Sequence, residues 1–409
     1  MLERRNHRKG SISVFLVLVL GSMILLAFAV HEAAVRATAR SAGEAALVLA
    51  ARSVLSEYDK PLFERYGILA FRGSPEDLRD GLRHYAAATL ESSPYYHLEG
   101  LRAESGDYAL ILPDAFESAV LEWIPVVLAG MAESALGAPE ADKGVPGPAG
   151  TCEDRVLKNR SVSGSLPSRG APDPGGILGR LKDIKNSWQD AFRKGTDNFL
   201  VNQYIDRYFS SAANPPGEGE TFFRNEVEYI LEGRLSDRQN RVEYRGELLV
   251  LRNAVNAVFL VTDAVKMSQL AAAAQLLTPG PEAFLTQIVL AEAWALAEAE
   301  NDILLLEHGC KVPFVKTAES WAVDLDSVLS GTSRGYIDTH CASGLDYRGY
   351  LQLFLFFMDR ETKLYRMMDL IQLNLQGGND RSFLIREHQT GVYYESEVNG
   401  VVVRGQGGY

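Results

Sequence analysis

Cysteine is scarce: three in 409 residues, which excludes a disulfide-stapled scaffold. Glycine (36) and proline (16) are too sparse for a collagen-like or low-complexity chain. Basic charge is also in short supply, with Lys+Arg 41 against Asp+Glu 53 and a net charge of -12. A phosphate backbone needs clustered Lys and Arg, so nucleic acid is not an expected partner. No P-loop, G-x-G-x-x-G or H-E-x-x-H pattern occurs, so the common nucleotide and zinc-hydrolase signatures are missing. What is present is apolar material for a sizeable core, 46% of residues.

That material is concentrated first at the N-terminus. Arg4, Arg5, Arg8 and Lys9 against Glu3 give residues 1–10 a charge of +3, so the rest of the chain carries -15 of the total of -12. From Ser11 to Val30 no side chain ionises. Twenty such residues rise about 30 Å as a helix, the thickness of a bilayer's hydrocarbon core. The flanking cations place residues 1–10 in the cytoplasm and the acidic remainder outside the cell membrane, as a single-pass protein. Two processing alternatives stand beside a permanent anchor spanning Ile12 to Val30. Ala27-Phe28-Ala29 forms an A-x-A-like signal that would release a soluble binding protein beginning at Val30. Arg8-Lys9-Gly10 ahead of an apolar run has the form of a prepilin leader, with cleavage between Gly10 and Ser11; the fifth residue after that cut, usually Glu in such pilins, is Phe15 here.

The expected fold class is α+β and helix-rich, one transmembrane helix continuing into a long helix and then a mixed ectodomain with short strands. Residues 31–57 extend the helix, with Arg36, Arg40, Glu44 and Arg52 interleaved among Ala and Leu. Residues 58–136 form a first α+β half. It begins with a turn and a strand at Gly67–Phe71, followed by a helix over Pro75–Leu90 capped by Ser74. Strands follow at Tyr95–Leu101 and Tyr108–Leu112, then a helix over Asp114–Leu136 containing Pro125. Residues 137–176, rich in Gly, Pro and Ser, read as a flexible linker between halves or a loop thrown out from one domain. Residues 177–409 form a helical second half. Its helices are Leu178–Phe209, Glu243–Leu277, Pro281–His308 and one or two within Arg348–Gln376, while Phe222–Leu231 alternates as a half-buried strand. Ser382–Arg404, with Asn399-Gly400 as the turn, reads as a β-hairpin.

Four segments together carry a resemblance. They are Lys9-Gly-Ser-Ile-Ser-Val-Phe, Ser56-Glu-Tyr-Asp-Lys-Pro-Leu-Phe-Glu-Arg-Tyr-Gly, Phe223-Arg-Asn-Glu-Val-Glu-Tyr-Ile and Gly344-Leu-Asp-Tyr-Arg-Gly-Tyr-Leu-Gln-Leu-Phe-Leu. They resemble an uncharacterised clostridial-type envelope family, similar at its N-terminus to the TadE/TadG-like pseudopilins of tight adherence pili. The resemblance implies a place near a pilus or secretion machine, with its proteins met through the N-terminal helix and the lipid bilayer as the other partner. It implies no catalytic residue and no cofactor.

Candidate chemistry is weak beside this. Gly331-Thr-Ser333-Arg-Gly335 matches G-x-S-x-G, with Asp338, Asp346, His340 and His388 downstream, so a membrane-tethered serine hydrolase is the rival function. Neither flank of Ser333 has the strand-to-helix context of a nucleophile elbow, and a Gly-bounded loop is the preferred reading. His308, Cys310, His340 and Cys341 lack the repeated spacing of a zinc site, so no metal is expected. Outside the cytoplasm a Cys310–Cys341 disulfide is expected instead, with Cys152 left over. The pairs Glu226 with Glu228 and Glu298 with Asp302 are expected to be solvated acidic faces.

Overall fold

A computed structural model of the chain describes residues 8–90, 94–135, 154–170, 195–217, 219–332, 337–339, 343–378 and 380–409. It is helix-rich α+β and divides into two compact units. One comprises residues 1–63, 69–115 and 386–409, the other residues 64–68 and 116–385. The C-terminal hairpin thus belongs with the N-terminal helix, not with the helical second half that it follows in sequence.

In the first unit, α1 (Arg8–Leu55) is one unbroken helix of 48 residues. Its second half packs on α3 (Pro75–Leu90) and on the three-stranded antiparallel sheet β2 (Leu98–Glu104), β4 (Gly391–Val398) and β5 (Val401–Gly408), in the order β2-β4-β5. The hairpin closes from Gly391↔Gly408 to Val398↔Val401. Its two turn residues, Asn399 and Gly400, have φ of 49° and 74°, the left-handed geometry that a two-residue hairpin requires and Asn-Gly tolerates. The core between helices and sheet contains Leu47, Ala50, Val54, Leu82, Leu101, Val392 and Val403. A second, two-stranded pairing joins β1 (Phe71–Arg72) to β3 (His388–Gln389).

The second unit is built on buried helices. The longest pair, α8 (Asp237–Thr262) and α10 (Ala283–Glu307), pack on each other, and α9 (Ala264–Leu277) leaves α8 at 89°. Around them lie α6 (Gly195–Tyr208), α7 (Glu226–Glu232), α12 (Tyr347–Phe357) and α13 (Arg360–Gly378), the last with twelve of its residues buried.

Several expectations are corrected. Glu226–Glu232 is a helix, not a strand, and Glu226 and Glu228 are as buried as Val227 and Tyr229. The alternation of acid and apolar residues therefore marks no solvent face. Glu243–Leu277 is two helices, because the Asp263 carboxylate accepts from the backbone N–H groups of Val265 and Lys266, at 2.9 and 3.0 Å, and starts a new helix. Residues Lys60–Tyr66 form a helix, α2, that Asp59 caps through Leu62 N at 2.9 Å, leaving only Phe71–Arg72 as strand. Gly67 bridges the two at φ 68°, and a Cβ there would lie 1.8 Å from the Trp123 Nε1. Residues Gly106–Tyr108 are a 3-10 turn followed by a single bridge from Ala109 to Gln389, not a strand. Within the segment read as linker, residues 154–170 are folded: Val156 bridges Ser236, α5 (Arg160–Gly164) is capped by Asn159, and Ser168 N donates to Asp369. The helix read over Leu178–Phe209 is described only from Gly195 to Tyr208.

Candidate functional site

The two halves of α1 face different surroundings. Among residues 14–30, thirteen large apolar side chains are exposed, from Val14 and Phe15 to Phe28 and Val30. Leaving them in water would cost about 20–40 kcal/mol at roughly 1.5–3 kcal/mol per side chain, so this stretch requires an apolar environment. It is long and apolar enough to span a membrane. The helical backbone already includes Gly10, Ser11 and Ile12, so the candidate processing bond lies inside the helix.

Beyond Val30 one face of α1 changes character. Ala39, Ala46, Leu47, Ala50 and Ala51 are buried, and small side chains let the sheet approach closely. A Cβ on Gly43 would stand 2.8 Å from Val398 Cγ2 and 3.1 Å from Val403 Cγ2. The outward face carries the i,i+4 ion pairs Glu32–Arg36 at 2.9 Å and Arg40–Glu44 at 2.8 Å. Between and beyond them Val35, Val48 and Leu49 are exposed.

The hydrolase candidates are not assembled among the described residues. Ser333 and His340 lie outside them. The chain enters Gly331 from a helix, α11 (Leu325–Ser330), where a nucleophile elbow would have a strand. His388 belongs to the first unit, buried, with its Nε2 3.2 Å from Asp59 Oδ2. Cys310 is a half-buried free thiol whose pKa burial raises, and Cys341 and Cys152 fall outside the described residues. No group of three or more His, Cys, Asp or Glu among the described residues is arranged to hold a metal ion.

The strongest polar clusters were not legible as such. Glu298 and Asp302 are fully buried, which corrects the solvated-face reading. Arg252 reaches Asp302 Oδ2 through Nη2 at 2.8 Å, and Lys316 Nζ lies 2.6 Å from both Glu298 Oε1 and Asp302 Oδ1. Arg252 Nη1 also donates to Phe314 O at 2.8 Å and Tyr350 Oη at 2.9 Å, while Glu298 accepts from Ala322 N and Val323 N. Two cations and two anions with their remaining valences occupied form a staple between α8, α10 and the segment 312–324. Such closed sets hold a fold in register and leave no group facing a substrate.

Three further buried groups are poised near neutrality. Burial pushes Glu226 up to about 7, although its carboxylate accepts from Ser210 N, Ser210 Oγ and Asn374 Nδ2. Burial likewise raises Asp369 to about 6 against hydrogen bonds from Ser168 and Tyr229. Lys363, lowered to about 7 by burial, donates to the Oδ1 atoms of Asn198 at 2.6 Å and Asn202 at 2.8 Å. An open cavity of about 390 Å³ lies beside Asn374, lined also by Arg155, Glu220, Phe222 and Leu373. Both ends of the Asn374 amide are engaged, with Phe222 N on Oδ1 and with Tyr66 Oη and Glu226 on Nδ2, so this wall offers no spare nucleophile or base. The signal that could expose these groups is present only for Arg252 and Asn256, polar residues that continue the four-residue spacing of Tyr244, Leu248 and Leu260 on the buried face of α8.

No curated protein and no solved structure matches the chain. The model of a family of unknown function (DUF5702) matches residues 152–400, more than half of the chain, which takes in most of the helical unit and the greater part of the hairpin, and the chain belongs to that family.

Proposed function

We propose that this is a non-catalytic, single-span envelope protein, with residues 1–10 in the cytoplasm and its bulk outside. In this reading it acts as a pseudopilin-like component or assembly factor of a tight-adherence-type pilus or related secretion system. The observation that carries the reading is the division of α1: an exposed apolar half fit for lipid or for neighbouring helices, continuous with an Ala-rich half laid across an antiparallel sheet. A helix of that form serves at once as anchor and as an assembly surface, and Val35, Val48 and Leu49 give the surface its apolar contacts. The closed Arg252–Asp302–Lys316–Glu298 set favours a scaffold role over catalysis for the second unit.

Two measurements test it. Intact mass and N-terminal sequencing of native protein should find a membrane-bound chain beginning at Met1 or Ser11, the latter marking prepilin-type processing. A soluble chain beginning at Val30 would overturn the anchor and return the released binding protein. A photo-crosslinking side chain placed at Val35 or Val48 should yield adducts with another envelope protein in the native host. If neither position cross-links, the assembly role falls.

A further inference from the structure

The second unit leaves a second apolar surface bare, separate from α1. Where the end of α9 and the first turns of α10 meet, Leu276, Leu277, Phe284, Leu285, Ile288 and Val289 are all exposed, Leu276 at 84% and Phe284 and Leu285 at 65%. The same helices turn their other faces inward, where Leu260, Leu270, Trp294, Ala295 and Trp321 form a core. The bare face is therefore the outside of a packed helical pair, and soluble surfaces rarely leave so many large apolar side chains contiguous without an occupant.

The charge pattern selects the occupant. From Met267 to Ala291 the only ionisable residue is Glu282. The one Lys or Arg in the sequence between Arg252 and Lys311 is Lys266, and it is drawn inward, its Nζ 4.9 and 4.8 Å from the ring centres of Trp294 and Trp321. Binding to anionic lipid needs outward Lys or Arg, and Met267 to Ala291 holds none. Protein interfaces usually ring an apolar centre with polar groups that meet a partner; here the neighbouring polar groups bond within the tip, Thr286 Oγ1 to Thr278 Oγ1, Gln287 Nε2 to Met267 O and Gly280 N to Gln275 Oε1. Thr278-Pro279-Gly280-Pro281 joins the helices at its end, so the surface is a blunt apolar tip. With 14 residues, α9 rises only about 21 Å and is too short to cross a bilayer. The chain's own apolar span supplies a bilayer at high effective concentration.

We propose that the α9–α10 tip is a second, interfacial membrane-docking site, which enters the apolar edge of the bilayer through Leu276, Leu277, Phe284 and Leu285 without recognising lipid charge. The proposal rests on the anchor reading for the nearness of the membrane, and on nothing else in the pilus assignment.

The test uses the full chain with Cys152, Cys310 and Cys341 changed to Ser, reconstituted in phosphatidylcholine vesicles. An environment-sensitive NBD label is placed through Leu285→Cys, Leu277→Cys or, at the exposed far end of α8, Arg238→Cys. Labels at 285 and 277 should shift to the blue and lose most of their intensity to doxyl-labelled lipid, equally with or without anionic lipid and at high salt, while the label at 238 stays aqueous and unquenched. A blue shift without lipid quenching would mean that protein covers the tip, a second copy or residues 177–194 of the same chain, and would overturn the proposal. Aqueous emission at both positions from a chain that floats with the vesicles would overturn it too and leave the anchor intact. A chain that does not float would sink both.

Discussion

Arg252 places its Nε and Nη2 on the same oxygen of Asp302, at 3.0 and 2.8 Å, and neither side chain is exposed to solvent. Asn256 Nδ2 donates to that oxygen as well, at 3.0 Å. The pair fixes the axial register of α8 against α10, because a slip of one turn would leave a buried charge without its partner.

Removing one member should therefore be far costlier than its net contribution. Asp302→Ala is expected to destabilise the second unit by about 3–5 kcal/mol, the usual penalty for a stranded buried charge. Urea unfolding followed through Trp294 and Trp321 would measure it. A loss below about 1 kcal/mol would mean that water reaches Arg252.

Stability should pass through a minimum near neutral pH. Glu226 is raised from 4.5 to about 7, so the folded state holds a proton that the unfolded chain releases, and stability falls as pH rises through that window, by roughly 3 kcal/mol. Lys363 is lowered from 10.5 to about 7. Here the unfolded chain binds the extra proton, and stability rises with pH from about 7 toward 10.5, by roughly 4–5 kcal/mol. Lys363→Met should flatten the alkaline limb and leave the acid limb in place, as read from denaturant midpoints across pH.

Two glycines on helices should respond oppositely to alanine. At Gly43 the new methyl meets Val398 at 2.8 Å, and Gly43→Ala is expected to cost about 1–3 kcal/mol through overpacking despite the gain in helix propensity. Gly246, with nothing within 4 Å of a Cβ, should gain about 0.5–1 kcal/mol in Gly246→Ala. Thermal melting of both variants checks the sign.

At the junction of α8 and α9, Asp263→Ala should remove the cap on α9 and cost about 0.5–2 kcal/mol. Hydrogen exchange should speed at Val265 and Lys266, whose N–H groups Asp263 holds, and not at the middle of α8.

The parts of this fold that could be read in advance are those whose cause is local. Ser11 to Val30 lacks charge over a bilayer's length, Asn399-Gly400 can adopt only a narrow set of turns, and Ser74-Pro75 starts a helix by its own hydrogen bonding. Apart from Arg252 and Asn256, the buried polar groups have no local sign, because a charged or amide side chain by its type points to solvent. Lys363 finds Asn198 and Asn202 across 165 and 161 residues, and Glu226 is buried where carboxylates usually face solvent. For Asp263 the local signal was present, an Asp directly before a helix-forming run, but the apolar period of α8 continues into α9 and masked the break. The resemblance at the N-terminus concerns residues before those matched by the family, so the two draw on different parts of the chain.

The sheet that covers α1 imposes an order on biosynthesis. Tyr409 Oη donates to Leu55 O across 354 positions, and β5 lies directly on α1. Until residues 391–408 have left the ribosome, α1 has only α3 against it, and the side of α1 at Gly43 and the inner sides of Leu101 and Ala103 lack the hairpin that covers them. The helical unit, encoded between these segments, can fold while the first unit waits, since contacts so distant in sequence form late. A helix that emerges before the helical unit and is covered only after it remains open to a chaperone, or to a neighbouring helix, for as long as that unit takes to be made.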